Sequence, residues 1–378
     1  MSSRINSQGT RRLVALDAAR GLAVIGMFLQ HFTSNNVIAS IVSGNTMILF
    51  ILCSGISYSI MTQRMMEKGV EMAAFRAQIL ARAIFIDLIG YLTIMLNGPF
   101  SVILPAYATL FVLALVLVRC SRRTLFTISV VLLVAGPPLM IVGGSVLSEA
   151  NFLGDIAGGP LSALGVAPVF VAGMVIGRLN LHSMRNATWL TVTGIIMLVI
   201  SKLFSTSVLP GLSQSFEKWL LDYTNIATTQ PDPYAIWPHN VAPPLWQMLL
   251  TSGPQSGSTF QLLIGLGTSL LVLGLTCLIA KKGAAILKPF AAVGQVALTL
   301  YAAQFVLAWV LIIAGMNYNI GEIPFGGVIV VLITLIAGGL LVRFSISPLE
   351  TMMRRFDRLF SGFQPAAGPV PVQSSNIS

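Results

Sequence analysis

Residues 11–32 read RRLVALDAARGLAVIGMFLQHF, and three side chains in this stretch could do chemistry: Asp17, Arg20 and His31. A guanidinium grips phosphate through paired N–H donors. A neutral imidazole takes a proton from a hydroxyl or an amine near pH 7, or attacks a carbonyl itself. Arg20 and His31 are eleven positions apart, so on a helix they share one face, about 16 Å apart along the axis. Asp17, one turn before Arg20, is placed to pair with it.

Apart from these groups the segment is apolar and long enough to span a bilayer. Ionisable groups at that depth are costly, usually face a cavity and point to function. Plainer readings stay open: a structural Asp17–Arg20 pair with the arginine snorkelling to the interface, and an interfacial histidine. The shared face favours the wall of a channel.

The rest of the chain supplies the setting. Of 378 residues, 55% are hydrophobic and only 9% are charged, against roughly a quarter charged in soluble domains. The apolar residues fall in runs near the bilayer length, which predicts an all-α, polytopic integral membrane helix bundle. Ten spans are expected, at 13–34, 38–62, 78–97, 101–118, 124–146, 161–178, 188–204, 257–280, 289–315 and 326–344. An even count puts both termini on one side. Arg4, Arg64, Lys68, Arg122, Arg185, Lys282, Arg343 and Arg355 fall in one set of connections, whereas the other set has only Lys202 and Lys218. The positive-inside rule then makes both termini cytoplasmic, in a multi-pass protein of the cell membrane. The formal charge of +10 records that orientation among membrane lipids, and no nucleic-acid partner is expected.

Residues 1–360 are expected to form one domain. The connection 205–256 reads as a long extracytoplasmic loop, and its Trp219, Tyr223, Tyr234, Trp237, His239 and Trp246 suit an interfacial belt or stacking on a sugar. Residues 361–378 read as a disordered cytoplasmic tail. Cys53, Cys120 and Cys277 are scattered, which argues against a disulfide framework, and no metal site is expected. The first span reads as an uncleaved signal anchor. The sequons at Asn186 and Asn376 fall on the expected cytoplasmic side.

The stretch LDAARGLAVIGMFLQHF resembles the opening helix of the transmembrane acyltransferase superfamily. That group includes the acyltransferase-3 and heparan-α-glucosaminide N-acetyltransferase families. Arg20 and His31 match the acyltransferase-3 pattern of an arginine, ten residues and a histidine. LFILCSGIS (49–57), with Ser54-Gly55, resembles the second-helix pattern, and FRAQILARAIF (75–85), with Arg76 and Arg82, the basic start of the third. VGQVALTLYAAQFVL and SPLETMMRR resemble late elements of related bacterial branches. Two features depart from the pattern. Gln304 stands after Tyr301 where a histidine is common in acyltransferase-3 proteins, and the heparan-type Trp-Asn-Gly and Asp-Phe-Pro signatures are missing.

The resemblance implies transfer of an acyl group, commonly acetyl, from cytoplasmic acetyl-CoA to an acceptor across the membrane. The acceptor would be an extracytoplasmic sugar or glycolipid, for example of the trehalose mycolate type. Arg20, Arg76 and Arg82 would hold CoA phosphates at the inner mouth, and the extended pantetheine arm would bring the thioester to His31. His31 would act as general base or pass through an acetyl-imidazole. Asn35, Asn45, Ser54 or Tyr301 could support it, and Asp87 could pair with Arg82 or Arg20. The rival reading is a secondary transporter or flippase using the intramembrane charges as a proton relay; it expects broken helices at matched positions of two repeated halves. No internal repeat is visible in the sequence.

Overall fold

The computed structural model describes residues 13–33, 41–147, 151–224, 245–321 and 323–361. Asn35, Tyr234, Trp237, His239, the two termini and residues 362–378 lie outside the described residues. Regular structure in the described chain is entirely helical. The helices are α1 (Val14–Phe32), α2 (Asn45–Glu67), α3 (Met72–Met95), α4 (Leu104–Leu117), α5 (Arg122–Leu147), α6 (Asn151–Ala157) and α7 (Ala163–Gly177). They continue as α8 (Met184–Ser207), α9 (Leu209–Thr224), α10 (Thr259–Lys282), α11 (Ala284–Gln295), α12 (Ala297–Ile313), α13 (Gly326–Arg343) and α14 (Pro348–Ser361).

Six of them, α2, α3, α5, α8, α10 and α13, are long and apolar enough to cross a membrane. The pair α11–α12, bent by 64°, makes a seventh crossing if it counts as one span. The expected span at 289–315 is therefore broken rather than continuous. The helix expected at 38–62 begins at Asn45 and runs on to Glu67. The expected loop at 205–256 carries α9 and a short 3₁₀ helix, Trp246–Leu250. Leu209 and Leu220 supply buried residues of α9, at a spacing near three helical turns that its prolines and aromatics obscured.

Burial sorts the helices into layers. The membrane-length stretch of α2 is 78% buried, whereas those of α8 and α13 are 22% buried. The outer helices turn Ile196, Ile200, Leu332 and Ile336 outward, as lipid-facing helices do. At the centre is α1, packed on α2, α10, α11, α12 and α13. A helix walled by protein on most sides can carry Asp17, Arg20 and His31 without presenting them to hydrocarbon.

Small residues allow this central packing. A Cβ on Gly21 would fall 1.9 Å from the Phe290 carbonyl oxygen, and one on Gly294 would fall 1.8 Å from the Asp17 carbonyl oxygen. So α1 and α11 cross backbone against backbone, in the manner of small-residue membrane interfaces. In the same way Gly55 lets α2 and α7 meet at Gly173.

Candidate functional site

Arg20 is held by its own helix and by two neighbouring ones, α2 and α11. Its Nη2 donates to Ser57 Oγ on α2 at 2.5 Å, and its Nη1 lies 3.4 Å from Asp17 Oδ1 and 3.5 Å from the Gly294 carbonyl oxygen. Ser57 donates its own proton to the Cys53 carbonyl at 2.7 Å, which leaves an oxygen lone pair aimed at the guanidinium. The Gly21–Gly294 crossing is what brings the Gly294 carbonyl within reach.

Two cavities open at Arg20. One, of about 350 Å³, is lined by Asp17, Arg20, Ser57, Arg64 and Lys68. The other, of about 380 Å³, is lined by Arg20, Ser57, Arg82, Tyr107, Gly294 and Glu350. Together they form a basic end of the bundle, with arginine and lysine donors arranged around space. Guanidinium and ammonium groups in such a setting can hold phosphate.

Part of that end is covered by α14. Arg82 donates to Asp357 Oδ2 from Nε, at 3.2 Å, and from Nη2. Glu350 Oε1 accepts from the Leu298 and Thr299 amides at 2.9 and 3.1 Å, and Oε2 accepts from the Thr299 hydroxyl at 2.5 Å. These amides belong to the first turn of α12, just past the break at Val296, so a carboxylate from another helix caps the broken span.

His31 stands at the far end of α1. Its Nδ1 lies 3.1 Å from Gln304 Oε1, and since a carbonyl oxygen only accepts, Nδ1 carries the proton and Nε2 is left with a lone pair. The ring stacks on Phe100 with centroids 4.0 Å apart and planes 6° apart. It lines a cavity of about 250 Å³ with Gln30, Ser101, Gln255 and Tyr301. A neighbouring cavity of about 500 Å³ shares Leu161 and Gln255 with it and adds Tyr91, Asp155 and Ser162. There Tyr91 donates to Asp155. Burial raises the Asp155 carboxyl above the usual carboxylate range, against the lowering effect of that hydrogen bond.

Between the two ends is an aromatic layer. Phe50 and Tyr107 face the Arg82 cavity, and Tyr301 faces the His31 cavity. Phe50 stacks on Tyr301 with centroids 6.2 Å apart and lies 6.0 Å from Tyr107. Tyr301 is 2% exposed, and its hydroxyl accepts from the Ile103 amide at 3.0 Å. Arg20 and His31 thus open into different cavities, with Phe50 and Tyr301 in the way.

No family model, curated protein or solved structure matches this chain.

The expected site residues divide clearly. Asp17, Arg20 and Arg82 gather at the basic end, and His31 and Tyr301 at the other. Arg76 is exposed in the first turns of α3 and lines none of these cavities. The suggested Asp87 pairs do not form, because Arg82 holds Asp357 and Arg20 holds Asp17. Five residues along a helix rotate Asp87 about 140° away from Arg82. Asn45 and Ser54 do not reach His31; each bonds a carbonyl one turn back, Ile41 at 2.9 Å and Phe50 at 2.8 Å. Sequence reasoning missed Ser57, Phe100, Gln304, Glu350 and Asp357. Gln304 had the clearest signal, since it follows Tyr301 where the resembled families often carry a histidine, and Ser57 and Glu350 lie inside the stretches LFILCSGIS and SPLETMMRR.

Proposed function

We propose that this protein is a membrane acyltransferase of the kind its first helix resembles. It takes acetyl from acetyl-CoA at the basic, cytoplasmic end and delivers it to a hydroxyl or amine of an extracytoplasmic sugar or envelope glycolipid. In this reading ten helices cross the membrane, with both termini cytoplasmic: the six long ones, the bent pair, the shorter α4 and α7, and α1. One observation carries the reading. A single buried helix presents Arg20 to basic cavities and His31 to a separate cavity, with one aromatic layer between them.

In this mechanism Arg20, Arg64, Lys68 and Arg82 receive the phosphates of CoA, Arg82 exchanging Asp357 for phosphate. The pantetheine arm displaces Phe50 and Tyr301 and carries the thioester toward His31. Gln304 holds the imidazole proton on Nδ1, so Nε2 accepts the proton of the attacking hydroxyl or amine. That proton then passes to the departing thiolate of CoA.

The bent α11–α12 pair supports a second reading, a secondary transporter, because broken spans are a transporter feature. One experiment separates the two. Purified protein is placed in liposomes, and acetyl-labelled CoA is supplied on the basic side only. An acyltransferase puts label on a sugar or glycolipid in the other compartment and leaves free CoA behind. Label that crosses without forming a new ester or amide, or that stays on CoA, rejects the acyltransferase reading.

A further inference from the structure

An apolar groove of about 830 Å³ lies between α5 and α8 and shares no lining residue with the cavities along α1. In the bundle α5 packs on α7 and α8 packs on α10, so α7 and α10 form its floor, with Ala172, Val175, Leu266 and Leu270. The walls are Phe126 and Val130 from one side and Trp189 and Met197 from the other.

Its charged lining residues are Arg122 and Arg185, in the first turns of α5 and α8. Both are exposed and make no ion pair among the described residues. Both lie at the basic end. Helix α7 runs parallel to α2, with Gly173 against Gly55 and Gly177 against Ser59. Arg178, which follows α7, donates to the carbonyls of Val118 and Cys120 and so ties the start of α5 to that end.

Along α5 the groove runs from Arg122 to Leu133, eleven residues or about 16 Å. At the far end Thr259 Oγ1 bonds the Leu133 carbonyl at 2.8 Å and joins α10 to α5 there.

We propose that this groove binds an anionic phospholipid from the leaflet at the basic end. The phosphate sits between Arg122 and Arg185, and one acyl chain lies in the slot. Two unpaired guanidinium groups at the interface suit a phosphate and a net negative headgroup. Trp189, one turn inside Arg185 and 62% exposed, is placed as an interfacial indole. The occupant is a lipid rather than a second copy of this chain, because the charged lining is confined to one end and the lining beyond it is mostly apolar, as a headgroup and an acyl chain require.

The test uses the full-length protein in nanodiscs of phosphatidylcholine, with or without phosphatidylglycerol. Native mass spectrometry after delipidation then reads what stays bound. One phosphatidylglycerol per chain is expected to remain on the wild type, with phosphatidylcholine retained at least tenfold less. Arg122→Gln with Arg185→Gln should lower phosphatidylglycerol retention at least tenfold, and Ala172→Phe, which fills the floor, should do the same. The arginine pair decides the outcome, since both side chains are exposed and their loss leaves the packing intact. Equal retention of the two lipids, undiminished phosphatidylglycerol on the arginine double variant, or a lipid-independent dimer that this variant disrupts would each overturn the proposal.

Discussion

Gln304→Leu is expected to lower activity while leaving stability near wild type. Gln304 is fully buried and gives His31 its Nδ1 acceptor, while its own Nε2 finds no partner among the described residues. Leucine removes the stranded amide donor and keeps an apolar side chain of similar bulk, which offsets the imidazole N–H that it strands, so the stability of the fold should stay near wild type. The imidazole fares worse. Its Nδ1–H loses its partner, and the tautomer that leaves Nε2 as the base is no longer fixed. An unmade hydrogen bond at a buried group costs ~1–3 kcal/mol, which corresponds to about fivefold to 150-fold in rate. The assay is acetyl transfer at saturating acetyl-CoA, with donor binding by calorimetry and melting temperature on the same preparation. Transfer should fall within that range, with donor affinity unchanged and melting temperature near wild type. Gln304→Glu keeps an acceptor oxygen and should retain more activity than the leucine variant. Wild-type transfer by Gln304→Leu, or a loss explained by unfolding, would refute the role given to this contact.

Three further outcomes are expected. Asp357→Ala releases Arg82 and should tighten acetyl-CoA binding about threefold to tenfold, the ~1 kcal/mol scale of a partly exposed ion pair, with a steeper salt dependence; unchanged affinity by calorimetry would leave Arg82 a purely structural group. Glu350→Ala uncaps the first turn of α12 and should lower stability by ~1–2 kcal/mol, the range of lost helix caps, and an unchanged melting temperature would show that the break is held by packing instead. For topology, a cysteine at Glu217 on α9 should react with an impermeant thiol reagent on intact cells and one at Lys282 should not; labelling at Lys282 would reverse the two sides.

The sequence was most informative where one chemical property repeats along the chain. Apolar runs of bilayer length showed the membrane helices, and the polar residues of α1 stood out because nothing else in that helix resembles them. Long-range partners left little trace. Asp357 and Glu350 sit in a charged, amphipathic segment that reads locally as a solvated helix, yet they pair with Arg82 and with the amides of α12. The break at Val296 is invisible in hydropathy, because both halves are apolar and the group that tolerates the break comes from α14. Asn45 and Ser54 misled for the opposite reason: short polar side chains in helices often bond the preceding turn. Gly55, beside Ser54, is the residue of that pair that shapes the fold, through contact with α7.

In the proposed mechanism His31 is the base that completes acyl transfer, and His31→Gln removes that base while sparing the donor site. Glutamine keeps hydrogen-bonding capacity at that position but cannot serve as a proton acceptor near neutral pH. The measurement is transfer of labelled acetyl to the acceptor in liposomes, by His31→Gln protein shown to bind acetyl-CoA as tightly as wild type. If His31 is the base, transfer falls by roughly a hundredfold to ten-thousandfold, as losing a general base does, while donor binding and folding stay intact. Near-normal transfer by His31→Gln would leave His31 a packing residue stacked on Phe100.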